Sequence, residues 1–201
     1  MRRVLCVCSG TILTAAVAAA QPPAPGSVGT AAGLQRNYAQ IKTFLTQSAE
    51  KMPNADYGFK PTADIRSFGQ LFGHVANAQF GQCSGVKGVP NPHQGENFEQ
   101  KTAKADIVKA LADSFAFCDD AFASLTDETA AQLVSGGRGP QVSRATALMG
   151  VIAHGNEMYG IATVYLRLKG QVPPSTELFQ RGRGGPGGGR GGEGRGDGRG
   201  R

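Results

Sequence analysis

The stretch Ile107-Val108-Lys109-Ala110-Leu111-Ala112-Asp113-Ser114-Phe115-Ala116-Phe117-Cys118-Asp119-Asp120-Ala121-Phe122-Ala123-Ser124-Leu125 decides the fold. Ile107, Leu111, Phe115, Cys118, Phe122 and Leu125 recur by fours and threes. That interval puts all six on one face of an α-helix. A face this regular is the seam of a helix bundle. The pattern predicts a helix over 102–125.

Three further patterns lie around it. Over 30–51, Leu34, Tyr38, Ile41 and Leu45 share a stripe that continues to Met52, and Pro53 stops the helix. Over 64–86, Ile65, Phe68, Phe72, Val75, Gln79 and Cys83 do the same, with Asp64 or Thr62 as N-cap. Over 143–169, Leu148, Val151, Met158, Ala162 and Tyr165 face one way. Ser143 caps that helix, and Gly170 with Pro173-Pro174 ends it. Helices of about 20–27 residues are roughly 30–40 Å long. They can bury their stripes only against one another. No alternating strand-like run and no internal repeat is visible. The expected fold is therefore all-α, a single four-helix bundle over 30–178.

The charge sits at the ends. The chain carries +6 overall. Arg2 and Arg3 account for two of these charges, and the Arg/Gly-rich tail from Arg181 to Arg201 accounts for the other four. The stretch 21–180 is neutral, so the folded part has no basic face for nucleic acid. Residues 1–20 read as a signal peptide. Two arginines precede an apolar run, and Ala18-Ala19-Ala20 precedes a cleavage point before Gln21. The apolar run is too short for a comfortable membrane span. Residues 21–29 are a Pro/Gly/Ala linker, and 179–201 are expected to be disordered. The mature chain is thus expected outside the cytoplasm, periplasmic or secreted, with no membrane span after cleavage. A solvated tail touching anionic envelope polymers is favoured over one that binds RNA.

Several motifs fall in a recognisable order. Glu50-Lys51-Met52-Pro53, Tyr57-Gly58-Phe59-Lys60-Pro61, Arg66-Ser67-Phe68-Gly69 and His74-Val75-Ala76 occupy the first half. His154-Gly155-Asn156-Glu157-Met158-Tyr159-Gly160, Tyr165-Leu166-Arg167 and Gly170-Gln171-Val172-Pro173-Pro174 occupy the last helix. Together they resemble the DinB-like superfamily over about 34–175. The resemblance implies a four-helix bundle in up-down-down-up order, with a long crossover between the second and third helices. It also implies a divalent metal, zinc or nickel, held by one histidine of the second helix and a His-x-x-x-His on the fourth. Some relatives are thiol S-transferases, and many exported ones have no assigned activity. Carried over, the ligands fall on His74, His154 and position 158, which here is Met158.

The residues also stand on their own. His154 and Met158 are four apart, on one helical face. With helices two and four antiparallel, His74 lies about 15 Å and His154 about 17 Å from the start of its own helix. One mid-bundle site can hold both. A thioether is a poor zinc or nickel ligand and suits copper(I) better. The metal is therefore expected to be weak or absent, or completed by Glu157, water or His93. The plainer alternative is a pair of core histidines bonded to Asn77, Asn156 or Tyr159. Glu157 could act as a base on metal-bound water, or be a surface or supporting carboxylate.

Cys83 and Cys118 remain after the leader removes Cys6 and Cys8. If helices two and three are parallel, as the resemblance implies, the two sulfurs stand about 4–5 Å apart along the axis. The link 87–101 can extend about 50 Å, enough for the crossover. A Cys83–Cys118 disulfide is expected, with two small buried hydrophobes as the alternative.

No Gly-x-Ser-x-Gly elbow, Walker loop, Rossmann glycine pattern or His-Glu-x-x-His is present. Three classes of function stay open. The first is an exported bundle with a degenerate metal site and a pocket for a small ligand. The second is a metal-dependent thiol S-transferase or hydrolase. The third is an interaction protein acting through its tail. Homodimers are common among such bundles, but the sequence shows no decisive interface.

Overall fold

The computed structural model describes residues 28–136 and 139–183. The expected signal peptide, most of the linker and the tail beyond 183 lie outside these residues. Five helices are present among the described residues: α1 (Thr30–Lys51), α2 (Phe68–Lys87), α3 (Lys104–Ala123), α4 (Arg144–Leu168) and α5 (Pro174–Arg183). A two-stranded hairpin, β1 (Leu133–Val134) and β2 (Val142–Ser143), sits between α3 and α4, with Val134 opposite Val142. Among the described residues, no helix is long and apolar enough to cross a membrane.

Contacts between helices fix their directions. Gln79 meets Ser114, and Cys83 meets Cys118, so α2 and α3 run the same way. Ile41 lies against Gly155 and Phe44 stacks on Tyr159, so α1 and α4 also run parallel. Tyr38 bonds Asp119, whereas Lys104 reaches the carbonyls of Glu50 and Met52, so α1 opposes α3. His74 meets His154, and the Tyr165 hydroxyl donates to the Arg66 carbonyl, so α2 opposes α4. The order is up-down-down-up.

The five seam residues on α3 and Leu125, just past its end, are all buried. So are the stripes read on α1 and α4. On α2 one stripe member departs: Ile65 is exposed and precedes the helix. The start of α2 is set by Ser67 and Gln70, not by Asp64 or Thr62. The Ser67 hydroxyl accepts from the Gln70 amide at 3.2 Å, and the Gln70 side chain accepts from the Ser67 amide at 2.9 Å. This reciprocal pair satisfies two donors of the first turn. The next two amides, of Phe68 and Gly69, donate to the carbonyls of Phe59 and Tyr57, which folds the α1–α2 connection back onto the helix. Gly88 ends α2 at φ 66°, a left-handed C-cap that favours glycine.

Helical structure also continues past the expected boundary at 178. Pro174 does not only stop α4; it opens α5, since proline's fixed φ and missing N–H suit a first helical position. Tyr159 bonds both the amide and the hydroxyl of Ser175, and Lys51 pairs with Glu177. The region expected to dissolve thus remains helical to Arg183.

Cys83 and Cys118 are disulfide-bonded, fully buried, with Cα atoms 5.4 Å apart. The bond closes a loop across a separation of 35 residues. Replacing both cysteines by alanine is expected to lower stability by about 3–4 kcal/mol, chiefly by freeing the unfolded chain. Urea denaturation of the variant and the oxidised parent measures this.

Candidate metal centre

The antiparallel packing of α2 and α4 brings two imidazoles together at mid-height. Nε2 of His74 lies 3.2 Å from Nε2 of His154. The rings meet edge to face, with centroids 5.2 Å apart. Behind His74 stands a carboxylate that the sequence reading did not single out. His74 Nδ1 lies 2.8 Å from Glu99 Oε1, and Arg66 Nε donates to Glu99 Oε2 at 2.9 Å. Burial pushes the Glu99 carboxyl up, but its bonds to Arg66 and His74 outweigh that and hold it below the usual range. An ionised carboxylate only accepts, so the His74 proton sits on Nδ1. The Nε2 lone pair of His74 then points at His154. Burial, with help from His74 and Arg66 and against Glu157, lowers the His154 pKa and keeps that ring neutral.

Glu99 arrives from the α2–α3 crossover, in a short 3-10 turn, Phe98–Gln100. Two residues of α2 hold that turn. Asn77 accepts from the Phe98 amide at 3.0 Å and donates to Asn97 at 2.8 Å. Gly73 leaves room for it: a Cβ there would stand 2.4 Å from the Phe98 carbonyl oxygen. The backbone of the crossover therefore lies directly on the helix, and Glu99 is delivered to the next residue, His74. A lone glutamate in a loop carries no periodic signal. The readable hints were Gly73 beside His74 and the Asn97 turn residue.

The other expected residues are distributed as follows. Met158 is buried, one turn past His154. It lines a cleft of about 580 Å³ with Ile65, Arg66, Leu71, Glu99 and Ile161. Glu157 is exposed and acts on His154 only through its charge. Asn77 holds the crossover and Asn156 bonds the Ile152 carbonyl, so neither serves as the partner expected for the histidines. Tyr159 faces α1 and α5 instead. His93 pairs with Glu96 and packs on Phe80, away from the pair.

The sequence family described as the DinB superfamily matches residues 40–161, more than half of the chain. The chain belongs to the DinB superfamily. Solved structures agree in fold. A DinB-like protein from Bacillus cereus ATCC 10987 is 19% identical with a TM-score of 0.59, over 71% of this chain and 94% of that one. A conserved protein from Enterococcus faecalis is 17% identical with a TM-score of 0.56, over 71% of this chain and 98% of that one. No curated protein matches the chain.

The DinB resemblance implies a metal, and the residues can be tested for it. Two imidazoles bound to one tetrahedral ion at about 2.0–2.1 Å hold their nitrogens about 3.3–3.4 Å apart. The observed 3.2 Å fits that edge. A carboxylate on the far nitrogen of a metal-ligating histidine is the usual support, and Glu99 occupies that place. Among the described residues, no group of three His, Cys, Asp or Glu side chains converges to complete a cage. The pair fits a metal as two ligands, and Met158 lies one turn past His154 on α4.

Two outcomes are expected of the metal-free protein. Gly73→Ala should lift the crossover, destabilise the fold by about 1–3 kcal/mol and detach Glu99 from His74; urea denaturation and the His74 ring NMR resonances report each effect. The depressed His154 pKa contributes stability that is fully present above 6.5, the unfolded value, and is lost as pH falls below it. Glu99, also depressed, contributes stability present above 4.5 and lost as pH falls toward its folded pKa. Thermal melts across pH 8 to 4 should therefore decline in two stages, and His154→Gln should remove the first.

Proposed function

We propose that this chain is an exported DinB-superfamily bundle that holds a divalent metal, zinc or nickel, weakly between α2 and α4, in a cleft that admits a small ligand. The observation that carries this is the imidazole pair, 3.2 Å apart at Nε2 and braced by Glu99. His74 and His154 hold the ion. Glu99 fixes the His74 tautomer and ring, and Arg66 keeps Glu99 ionised. Replacement of the family's third imidazole by Met158 weakens the site. A bound divalent metal supplies Lewis-acid polarisation of whatever occupies its open position. The apolar cleft beside it, with Arg66 at its wall, is of a size suited to small molecules.

Export is supported by the charged, apolar, small-residue leader and by the disulfide, which belongs to oxidising compartments. A second reading, a metal-dependent thiol S-transferase or hydrolase, is favoured by Glu99, the partner of His74, lining the cleft. A third reading, in which the Arg/Gly tail binds an envelope partner, rests on composition alone, and deleting the tail would expose it.

Metal content of protein purified from an exporting host tests the main reading. Sub-stoichiometric zinc or nickel, lost in His74→Ala, is expected. Glu99→Gln should weaken binding by about 10–100-fold. Met158→His should strengthen it, completing the family's ligand set. Loss of stability without any loss of metal in His74→Ala would reduce the histidines to core residues.

A further inference from the structure

Met158 lies one turn past His154 on α4, so its side chain starts one turn from the imidazole pair. Leu71 lies one turn before His74 on α2, and Met158 lies one turn past His154 on the opposed α4. Both line the same cleft. Residues four apart on a helix stand about 5–6 Å apart at Cβ. Methionine is unbranched with three rotatable bonds, so its sulfur can swing toward the pair. Other sulfur among the described residues is placed elsewhere. Cys83 and Cys118 are closed in their disulfide, Met52 is buried where α1 ends, and Met149 is half-exposed near the start of α4.

The donor set differs from that of a zinc or nickel site in charge as well as in softness. No His, Cys, Asp or Glu joins the pair as a third ligand among the described residues. The nearby carboxylate, Glu99, is taken up by His74 and Arg66. Two imidazoles and a thioether are all neutral. A divalent ion there keeps two uncompensated charges in a partly buried place, and a monovalent ion keeps one. Thioether sulfur also prefers the soft monovalent ion.

We propose that His74, His154 and Met158 form a copper(I) site that selects copper(I) over zinc and nickel. This rests on the reading of the histidine pair as a metal site and changes its metal. The inner donors are two imidazole nitrogens and one thioether. Glu99 orients the first imidazole without joining the ion.

The test uses the full-length chain with Cys6→Ser and Cys8→Ser, so that no leader thiol takes the metal. Copper(I) is titrated anaerobically against a chromophoric copper(I) chelator, and zinc separately against a zinc-sensitive dye. Copper(I) is expected to bind more tightly than zinc, with a sulfur neighbour visible by X-ray absorption. Met158→Leu keeps the side-chain volume. It should lose the sulfur signal and about tenfold or more in copper(I) affinity, with zinc affinity unchanged. Met158→His should reverse the preference. Zinc tighter than copper(I) in the parent, or undiminished copper(I) in Met158→Leu, overturns this inference and leaves the two-histidine site standing. Binding of neither metal, with His74→Ala matching the parent, overturns both.

Discussion

Two neighbouring helices that run the same way cannot be joined by a short turn. The chain must travel back the length of the bundle before the second helix starts. Here α2 and α3 are such a pair, and the returning segment between Gly88 and Ala103 is the price of their parallel order. The segment does not hang free. It is laid on α2 where Gly73 has no side chain and is pinned by Asn77. That contact puts Glu99 on His74. The site thus depends on a topological constraint: with antiparallel α2 and α3, no backbone would pass over this face of the helix.

The same arrangement sets the electrostatics. Arg66, Glu99, His74 and His154 form a chain from the surface to the bundle interior. Charge alternates at its outer end and vanishes at its inner end. The arginine stabilises the carboxylate, the carboxylate fixes the proton of the first ring, and the second ring is left neutral by burial. Each group is half-buried or less exposed than a free surface residue, so solvent weakens the chain only in part. With the first ring's proton held on Nδ1, the second ring donates its Nε2 proton to the first across 3.2 Å.

Much of the bundle could be read from the apolar stripes, because buried faces of long helices leave a strict interval. The α3 seam, the α1 stripe and the α4 stripe all proved buried. Where the reading failed, a local signal competed with periodicity. Ile65 matched the α2 interval, yet Ser67 and Gln70 form a capping box that starts the helix later. Pro173-Pro174 was read as an end, although a second proline also suits a beginning, and α5 starts there. The hairpin of β1 and β2 has two residues per strand, too few to alternate. Helix rise, with α2 and α4 antiparallel, allowed His74 and His154 to share one height, and they meet there. Glu99 did not, since a loop residue has no interval and its place is set by the backbone path over Gly73.

The Cys83–Cys118 bond has one more consequence. It joins α2 to α3 across the whole crossover, so the segment carrying Glu99 lies inside a covalent ring. A protease that cut the exposed stretch near Val89 would open that ring without parting the chain. The two fragments would stay tied side by side in the core, with every helix still present. A single nick there converts one polypeptide into a two-chain molecule that keeps its shape until a reductant reaches the buried sulfurs.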